Sequence, residues 1–246
     1  MEKGVRFEID YLQYIDADGV LQNPDLPDFA RDKDQLLGLY QDMVKVRAFD
    51  TKAIALQRTG KLGTYASSLG HEASHVGIGS GMQTDDVLAP SYREYGAQIV
   101  RGVKPREILL YWGGDERGSD FSGPAHDFAW CVPIGTQCLH AAGAALAFKL
   151  RNEPRVGVAC VGDGGSSKSD TNAAINVAGA FQLPFVLCII NNQWAISTFQ
   201  AIAGGEGTTF AQRGAGAGIA SLRVDGNDFL AVHAASQWAA DRKSVV

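Results

Sequence analysis

Two apolar, β-rich runs, Arg155 to Val161 and Phe185 to Ile190, are separated by a stretch from Asp170 to Phe181 that places Ala173, Ala174, Val177, Ala178 and Phe181 at helical spacing on one side. The runs are apolar along their whole length rather than at every second residue, as strands covered on both faces are. A helical crossover between neighbouring strands makes them parallel. The expected fold is therefore α/β, with a parallel sheet flanked by helices on both faces.

Parallel strands end at the same sheet edge, which is where open α/β sheets bind ligands. Asp163 stands two residues beyond the first run, and Asn191-Asn192 directly follow the second. A small set of hard oxygen ligands suits Mg²⁺, which completes its octahedron with water and phosphate oxygens. Gly164 and Gly165 let a ligand approach the backbone, and the turn into the next helix offers N–H groups to an anion. Gly-Asp-Gly alone is an ordinary turn, and so is Asn-Asn. Their meeting at one edge is what gives them meaning. A nicotinamide fingerprint competes for Gly162 to Ser167, but Ser167 replaces its third glycine, and Asp163 would repel a pyrophosphate unless a cation lay between them.

The rest of the chain is read around this unit. Val87 to Pro90 is a short apolar run leading into Ser91-Tyr92-Arg93-Glu94. The planar Arg93 guanidinium suits bidentate phosphate contact, although pairing with Glu94 or Asp86 is an equally simple use for it. Lys33 to Arg58 is expected to be one amphipathic helix, stopped by Gly60, with Leu36, Leu37, Tyr40, Met43 and Val44 on its apolar face. Residues 1–32 read as an arm lying on a surface, and residues 111–135 as a long loop of functional type. Leu139 to Leu150 reads as a helix buried on all sides. The tail repeats strand and helix weakly, at Leu222 to Val224 and Asp228 to Ala240.

Composition limits what the chain can do. A net charge of −5 without a basic run argues against nucleic-acid binding. The sequence holds neither a signal-like start nor an apolar window long enough to span a bilayer, so a soluble, cytoplasmic protein of bacterial type with no membrane partner is expected. The four cysteines, Cys131, Cys138, Cys160 and Cys188, form no C-x-x-C pair and read as buried thiols. His71, His75, His126 and His140 stand singly and read as hydrogen-bonded polar residues rather than ligands.

The stretches Ser68 to Ala73, Ser91 to Glu94, Pro133 to Gln137, Gly162 to Gly165 and Ile190 to Ser197 together resemble the alpha chain of the thiamine diphosphate-dependent decarboxylating component of 2-oxo acid dehydrogenase complexes, from about Phe7 to Asp241. The resemblance implies that Tyr92 and Arg93 contact the cofactor diphosphate, that Gly164 and Gly165 form its loop, and that Asp163, Asn192 and the Trp194 carbonyl bind Mg²⁺. Ile134 matches an apolar wedge under the cofactor, with Val132 beside it. Thr136 and Gln137 match positions that hold a monovalent cation such as K⁺ in some members. Residues 33–246 are then the thiamine diphosphate-binding domain.

The implied reaction is oxidative decarboxylation of a small 2-oxo acid, with the acyl group passed to a lipoyl domain of the acyltransferase component. Pyruvate comes first, although branched-chain members share much of the pattern. The expected partner is a beta subunit in an α₂β₂ assembly. Because it supplies the carboxylate that activates the aminopyrimidine, no catalytic side chain is assigned to this chain. Two departures stand out. Ala173 occupies a position where relatives commonly carry Glu, and the chain stops at Val246, before a His-containing loop that relatives place over the diphosphate. A fragment or early-terminated product is therefore expected, with a non-catalytic assembly remnant as the contrasting reading.

Overall fold

The computed structural model describes residues 6–204, 208–242, 244 and 245. In chain order its elements are β1 (Asp10–Leu12), α1 (Lys33–Arg58), α2 (Glu72–Gly81), β2 (Val87–Ala89), α3 (Tyr95–Val100), α4 (Pro105–Trp112), α5 (Thr136–Arg151), β3 (Gly157–Gly162), α6 (Ser169–Phe181), β4 (Phe185–Ile190), the pair β5 (Trp194–Ala195) and β6 (Thr198–Phe199), α7 (Ala201–Gly204), α8 (Gln212–Gly216), β7 (Leu222–Val224), α9 (Phe229–Arg242) and β8 (Ser244–Val245).

β3 and β4 run parallel and in register from Gly157 opposite Phe185 to Gly162 opposite Ile190. β2 joins β3 on one side, β8 meets the start of β4 on the other, and the sheet order is β2-β3-β4-β8, all parallel. Alternate residues serve opposite faces. Ala159, Val161 and Leu187 pack with Ala141 and Ala145 of α5 and Ala174 and Ile175 of α6. Val158, Cys160 and Val186 pack with Ile78 of α2, Ala97 of α3, and Val232 and Ala239 of α9. The sheet is thus flanked by helices on both faces, which is the expected α/β architecture.

Several helix faces differ from the sequence reading. α6 buries Thr171, Ala174, Ile175, Ala178 and Gly179, while Ala173 is exposed and Phe181 is 57% exposed. α1 has the expected bounds, but it turns Leu39, Val46, Phe49, Asp50 and Ala53 inward and leaves Leu37, Tyr40 and Val44 in solvent. α5 is one-sided as well, with Leu139 and Leu150 exposed. Small side chains decide the inner face of α5. The carbonyl of Ala141 lies so close to Gly157 that no Cβ could fit between them, so a helix can sit this tightly on the strand only through its alanine side.

β7 does not enter the main sheet; it pairs in parallel with β1. Asp228 secures that junction. Its Oδ2 accepts the backbone N–H groups of Tyr14 (2.6 Å) and Ile15 (2.9 Å), and its Oδ1 accepts those of Leu230 (3.0 Å) and Ala231 (3.2 Å) at the start of α9. Among the described residues no helix is long and apolar enough to cross a membrane. The four cysteines are free thiols, buried at Cys131, Cys138 and Cys160 and half-buried at Cys188.

The stretch from Gly113 to Gly135 holds one short 3₁₀ turn, Glu116–Ser119, and otherwise lies irregularly along the outer edge of β2. Asp127 fixes it there. Its Oδ1 accepts the Leu88 N–H at 2.9 Å, and its carboxylate takes Arg101 Nε (2.7 Å) and Nη2 (2.8 Å), both side chains being 5% exposed or less. Removing one partner of such a buried pair leaves the other charge uncompensated. Asp127→Ala is therefore expected to lower the unfolding free energy by about 3–5 kcal/mol, measured from urea denaturation midpoints.

Candidate functional site

Because Gly162 and Ile190 are register partners, the two strands release Asp163 and Asn191 side by side at the carboxyl edge. Asp163 is 2% exposed, and its Oδ2 has no hydrogen-bond partner. Burial pushes its carboxyl pKa upward, against the pull of the Gly164 N–H. A buried carboxylate oxygen without a partner is costly by itself and is what a cation would satisfy.

The turn after Asp163 is held from the protein side. The Asp163 carbonyl accepts Ser166 Oγ at 2.6 Å, the Gly165 carbonyl accepts Thr171 Oγ1 at 2.9 Å, and the Gly164 carbonyl accepts the Ser167 N–H at 3.2 Å. A side chain at Gly164 would strike the methyl of Ala195, so this turn touches the loop that follows β4. At Gly165 a Cβ would lie 2.9 Å from Ile134 Cγ2, which places the predicted apolar wedge directly against the predicted diphosphate loop. Ile134 is 40% and Val132 44% exposed.

The second loop folds through two Asx turns. Asn191 Oδ1 accepts the Gln193 N–H at 3.0 Å, and Asn192 Oδ1 accepts the Trp194 N–H at 3.1 Å. Asn192 and Trp194 are exposed, the Trp194 ring meeting Phe199 edge-on at 5.6 Å. Gln193 and Ile196 both adopt positive φ, 69° and 58°. For a β-branched residue such as Ile196 this is a genuine outlier, and its side chain stands wholly in solvent.

Arg93 reaches this region from the end of β2. It donates through Nη1 to the Ser67 carbonyl and lies over the Tyr92 ring, 5.4 Å from its centroid. No ion pair occupies it among the described residues. Glu94 instead accepts the Ser91 N–H at 2.8 Å, and Asp86 accepts those of Gln83 (2.7 Å) and Val156 (2.8 Å). Gln137 Nε2 donates to the Cys160 carbonyl at 2.7 Å while its buried Oε1 has no partner; Thr136 Oγ1 lies 3.3 Å from Asp170 Oδ2. Of the predicted monovalent-cation pair, Oε1 is buried without a partner, while the Thr136 hydroxyl donates to Asp170.

Two histidines depart from the sequence reading. His75 is fully buried with both ring nitrogens unpartnered, and His71, 5.2 Å away between ring centroids, has an unpartnered Nδ1. Burial, then the neighbouring His71 and Arg93, holds the His75 pKa well below its usual value. His126 is exposed, and His140 stacks on Phe128 at 5.5 Å. His71 also lines a cavity of about 700 Å³ between α2, β4, β7 and α9, together with Asn191 and Asn192. The cavity does not reach Asp163 or Arg93. His71 and His75 stand four apart in the sequence, but without an H-E-x-x-H pattern the spacing points to no metal site, and the burial that leaves their nitrogens without partners has no sequence signal.

The dehydrogenase E1 component family model matches residues 40–245. The chain is 39% identical to the 2-oxoisovalerate dehydrogenase subunit alpha of Pseudomonas aeruginosa over 94% of its own length and 58% of that protein's. It is 40% identical to the pyruvate dehydrogenase E1 component subunit alpha of Acholeplasma laidlawii over 85% of this chain and 61% of that one. With the 3-methyl-2-oxobutanoate dehydrogenase subunit alpha of Mycobacterium tuberculosis it shares 40% identity over 89% and 58%. The chain thus spans about three fifths of the length of these curated relatives. A thiamin diphosphate-dependent enzyme structure from Mycobacterium smegmatis gives a TM-score of 0.47 at 20% identity, over 75% of this chain and 31% of that one.

An imidazole with a lowered folded pKa stabilises the fold fully above its unfolded value, near pH 6.5. That stability is lost as pH falls toward the folded value, because the unfolded chain takes up the proton first. His75→Leu removes the two unpartnered nitrogens and should flatten the decline in unfolding free energy below about pH 6.5 by up to about 1.4 kcal/mol per pH unit. Urea titrations at a series of pH values measure that slope.

Proposed function

Since the chain belongs to the dehydrogenase E1 component family, we propose that it is the alpha subunit of a thiamine diphosphate-dependent 2-oxo acid dehydrogenase and carries half of the cofactor site. The observation that carries this reading is the buried, unpartnered Oδ2 of Asp163, emerging beside Asn191 at the end of two parallel strands. These residues fit Mg²⁺: an unsatisfied carboxylate oxygen and a neighbouring amide side chain, with Gly164 and Gly165 letting the turn close against Ala195 and Ile134.

In this reading Asp163, Asn192 and the Trp194 carbonyl hold the metal, and Tyr92, Arg93, Gly164 and Gly165 hold the diphosphate. Ile134 and Val132 supply an apolar wall that excludes water from the reacting end. Gln137 Oε1 and Thr136 offer oxygens to a monovalent cation such as K⁺. Thiamine diphosphate supplies the nucleophilic carbon and the electron sink for decarboxylation. This chain's part is to bind and orient it. Residues 33–246 form the cofactor-binding unit, a beta subunit in an α₂β₂ assembly completes the site, and a lipoyl domain of the acyltransferase component receives the acyl group.

Pyruvate is the substrate we put first, on the Gly135-Thr136-Gln137 and Asn192–Ser197 stretches. Branched-chain 2-oxo acids are the second reading, favoured by the relatives from Pseudomonas aeruginosa and Mycobacterium tuberculosis. Ratios of kcat/KM for pyruvate and 3-methyl-2-oxobutanoate in the reconstituted assembly decide between them.

With a beta chain present, calorimetry should find thiamine diphosphate binding that requires Mg²⁺. Asp163→Ala should weaken it by at least about 100-fold, the upper end of what losing an outer-shell partner costs. Unchanged Mg²⁺-dependent affinity in that variant rules out the metal assignment, and NAD binding independent of Mg²⁺ would point to a nicotinamide enzyme instead.

A further inference from the structure

Arg213, at the start of α8, is a half-buried cation with no carboxylate within ion-pair distance among the described residues. Its burial without a counter-charge pulls its pKa down. Its guanidinium lies over the Phe210 ring, 5.6 Å from the centroid, and its hydrogen bonds among the described residues go to the segments around the two loops. Nη1 donates to the Ser166 carbonyl, in the turn that follows Asp163. Nη2 donates to the Ala203 carbonyl at 2.7 Å and reaches Ser167 Oγ at 3.4 Å. Ser167 Oγ itself donates to the Ala203 carbonyl at 3.0 Å.

Ala203 leads to the other loop. Its N–H donates to the Gln200 carbonyl at 2.8 Å. The Gln200 N–H donates to the Gln193 carbonyl at 3.0 Å, and Gln200 Oε1 accepts Asn191 Nδ2 at 2.5 Å. A continuous hydrogen-bonded path thus runs from Ser166, three residues beyond Asp163, through Arg213, Ala203 and Gln200 to the residues on either side of Asn192. The planar guanidinium fits the bridging position, because its rigid fork donates to two carbonyls at once.

We propose that Arg213 is a positioning residue that fixes the spacing of the two loops offering oxygens to the metal, and so sets how much Mg²⁺ the site needs to hold a diphosphate. The inference rests on the cofactor reading above. Small cations such as Mg²⁺ demand near-ideal octahedral geometry, so a drift between the loops is felt first in metal affinity.

The test compares wild type, Arg213→Gln and Arg213→Lys in the complex with a beta chain. Calorimetric titration at fixed thiamine diphosphate reads the Mg²⁺ half-saturation, and hydrogen exchange on the metal-free protein reads residues 164–168 and 191–195. Arg213→Gln should raise the Mg²⁺ half-saturation by about 10–100-fold, the range seen on losing an outer-shell partner. It should also speed exchange in both segments while the sheet strands keep their protection. Arg213→Lys should recover part of the effect, since an ammonium reaches one carbonyl where the guanidinium reaches two. An unchanged half-saturation in Arg213→Gln, faster exchange in only one of the two segments, or a uniform loss of protection through the sheet each overturns the proposal. If wild type binds no thiamine diphosphate, the cofactor reading falls, and the exchange data still decide for or against the tie.

Discussion

The candidate site depends on the register between β3 and β4. Six paired residues, Gly157 opposite Phe185 through Gly162 opposite Ile190, set which residues leave the sheet together. A slip by one residue would send one strand's apolar residues to the opposite face. It would also move Asp163 out of line with Asn191. The register is protected because both faces are buried: Ala159 and Val161 belong to the core under α5 and α6, and Val158 and Cys160 to the one under α2 and α9. The meeting of Asp163 and Asn191 at that edge is therefore a by-product of how the core packs.

Several buried polar atoms without partners stand near that end of the sheet. His71 Nδ1, both nitrogens of His75, Gln137 Oε1 and Asp163 Oδ2 are all buried and unsatisfied. They lie at the amino-terminal ends of α2 and α5 and the carboxyl end of β3. Folded proteins leave few such groups, and each calls for an explanation. Arg93 adds a cation whose contacts among the described residues are the Ser67 carbonyl and the Tyr92 ring.

The strand–helix–strand unit could be read from the sequence because its signal is local and apolar: the strand from Phe185 to Ile190 has the bounds expected of it, and so does the helix from Lys33 to Arg58. Helix faces were harder. Counting apolar residues put Phe181 of α6 and Leu37, Tyr40 and Val44 of α1 inward, whereas α1 turns Leu39, Val46 and Phe49 to the core and closeness of approach governs α6. Gly179 lies so near the Ala217 carbonyl that the face carrying it must be the smooth one, whatever its hydrophobicity. The placing of Asp163 and Asn191-Asn192 at one sheet edge was legible because topology brings parallel strand ends together. Arg213 was not, since its role depends on carbonyls supplied by Ser166 and Ala203, and backbone acceptors leave no trace in a sequence. The pairing of β7 with β1 escaped for a similar reason, as a three-residue strand carries no address for its partner.

The unpaired atoms also bear on when the protein is stable. A buried donor or acceptor left unsatisfied costs about 1–3 kcal/mol, which is a large share of the roughly 5–15 kcal/mol that separates folded from unfolded domains. A ligand that binds only the folded chain stabilises it by about 2.7 kcal/mol at one hundred times its dissociation constant. The two quantities are of the same size, so an edge that keeps Asp163 and Gln137 unsatisfied costs stability when empty and recovers it when filled. A ligand bound at this edge would then be coupled to folding, and a metal satisfying the Asp163 carboxylate would stabilise the folded chain.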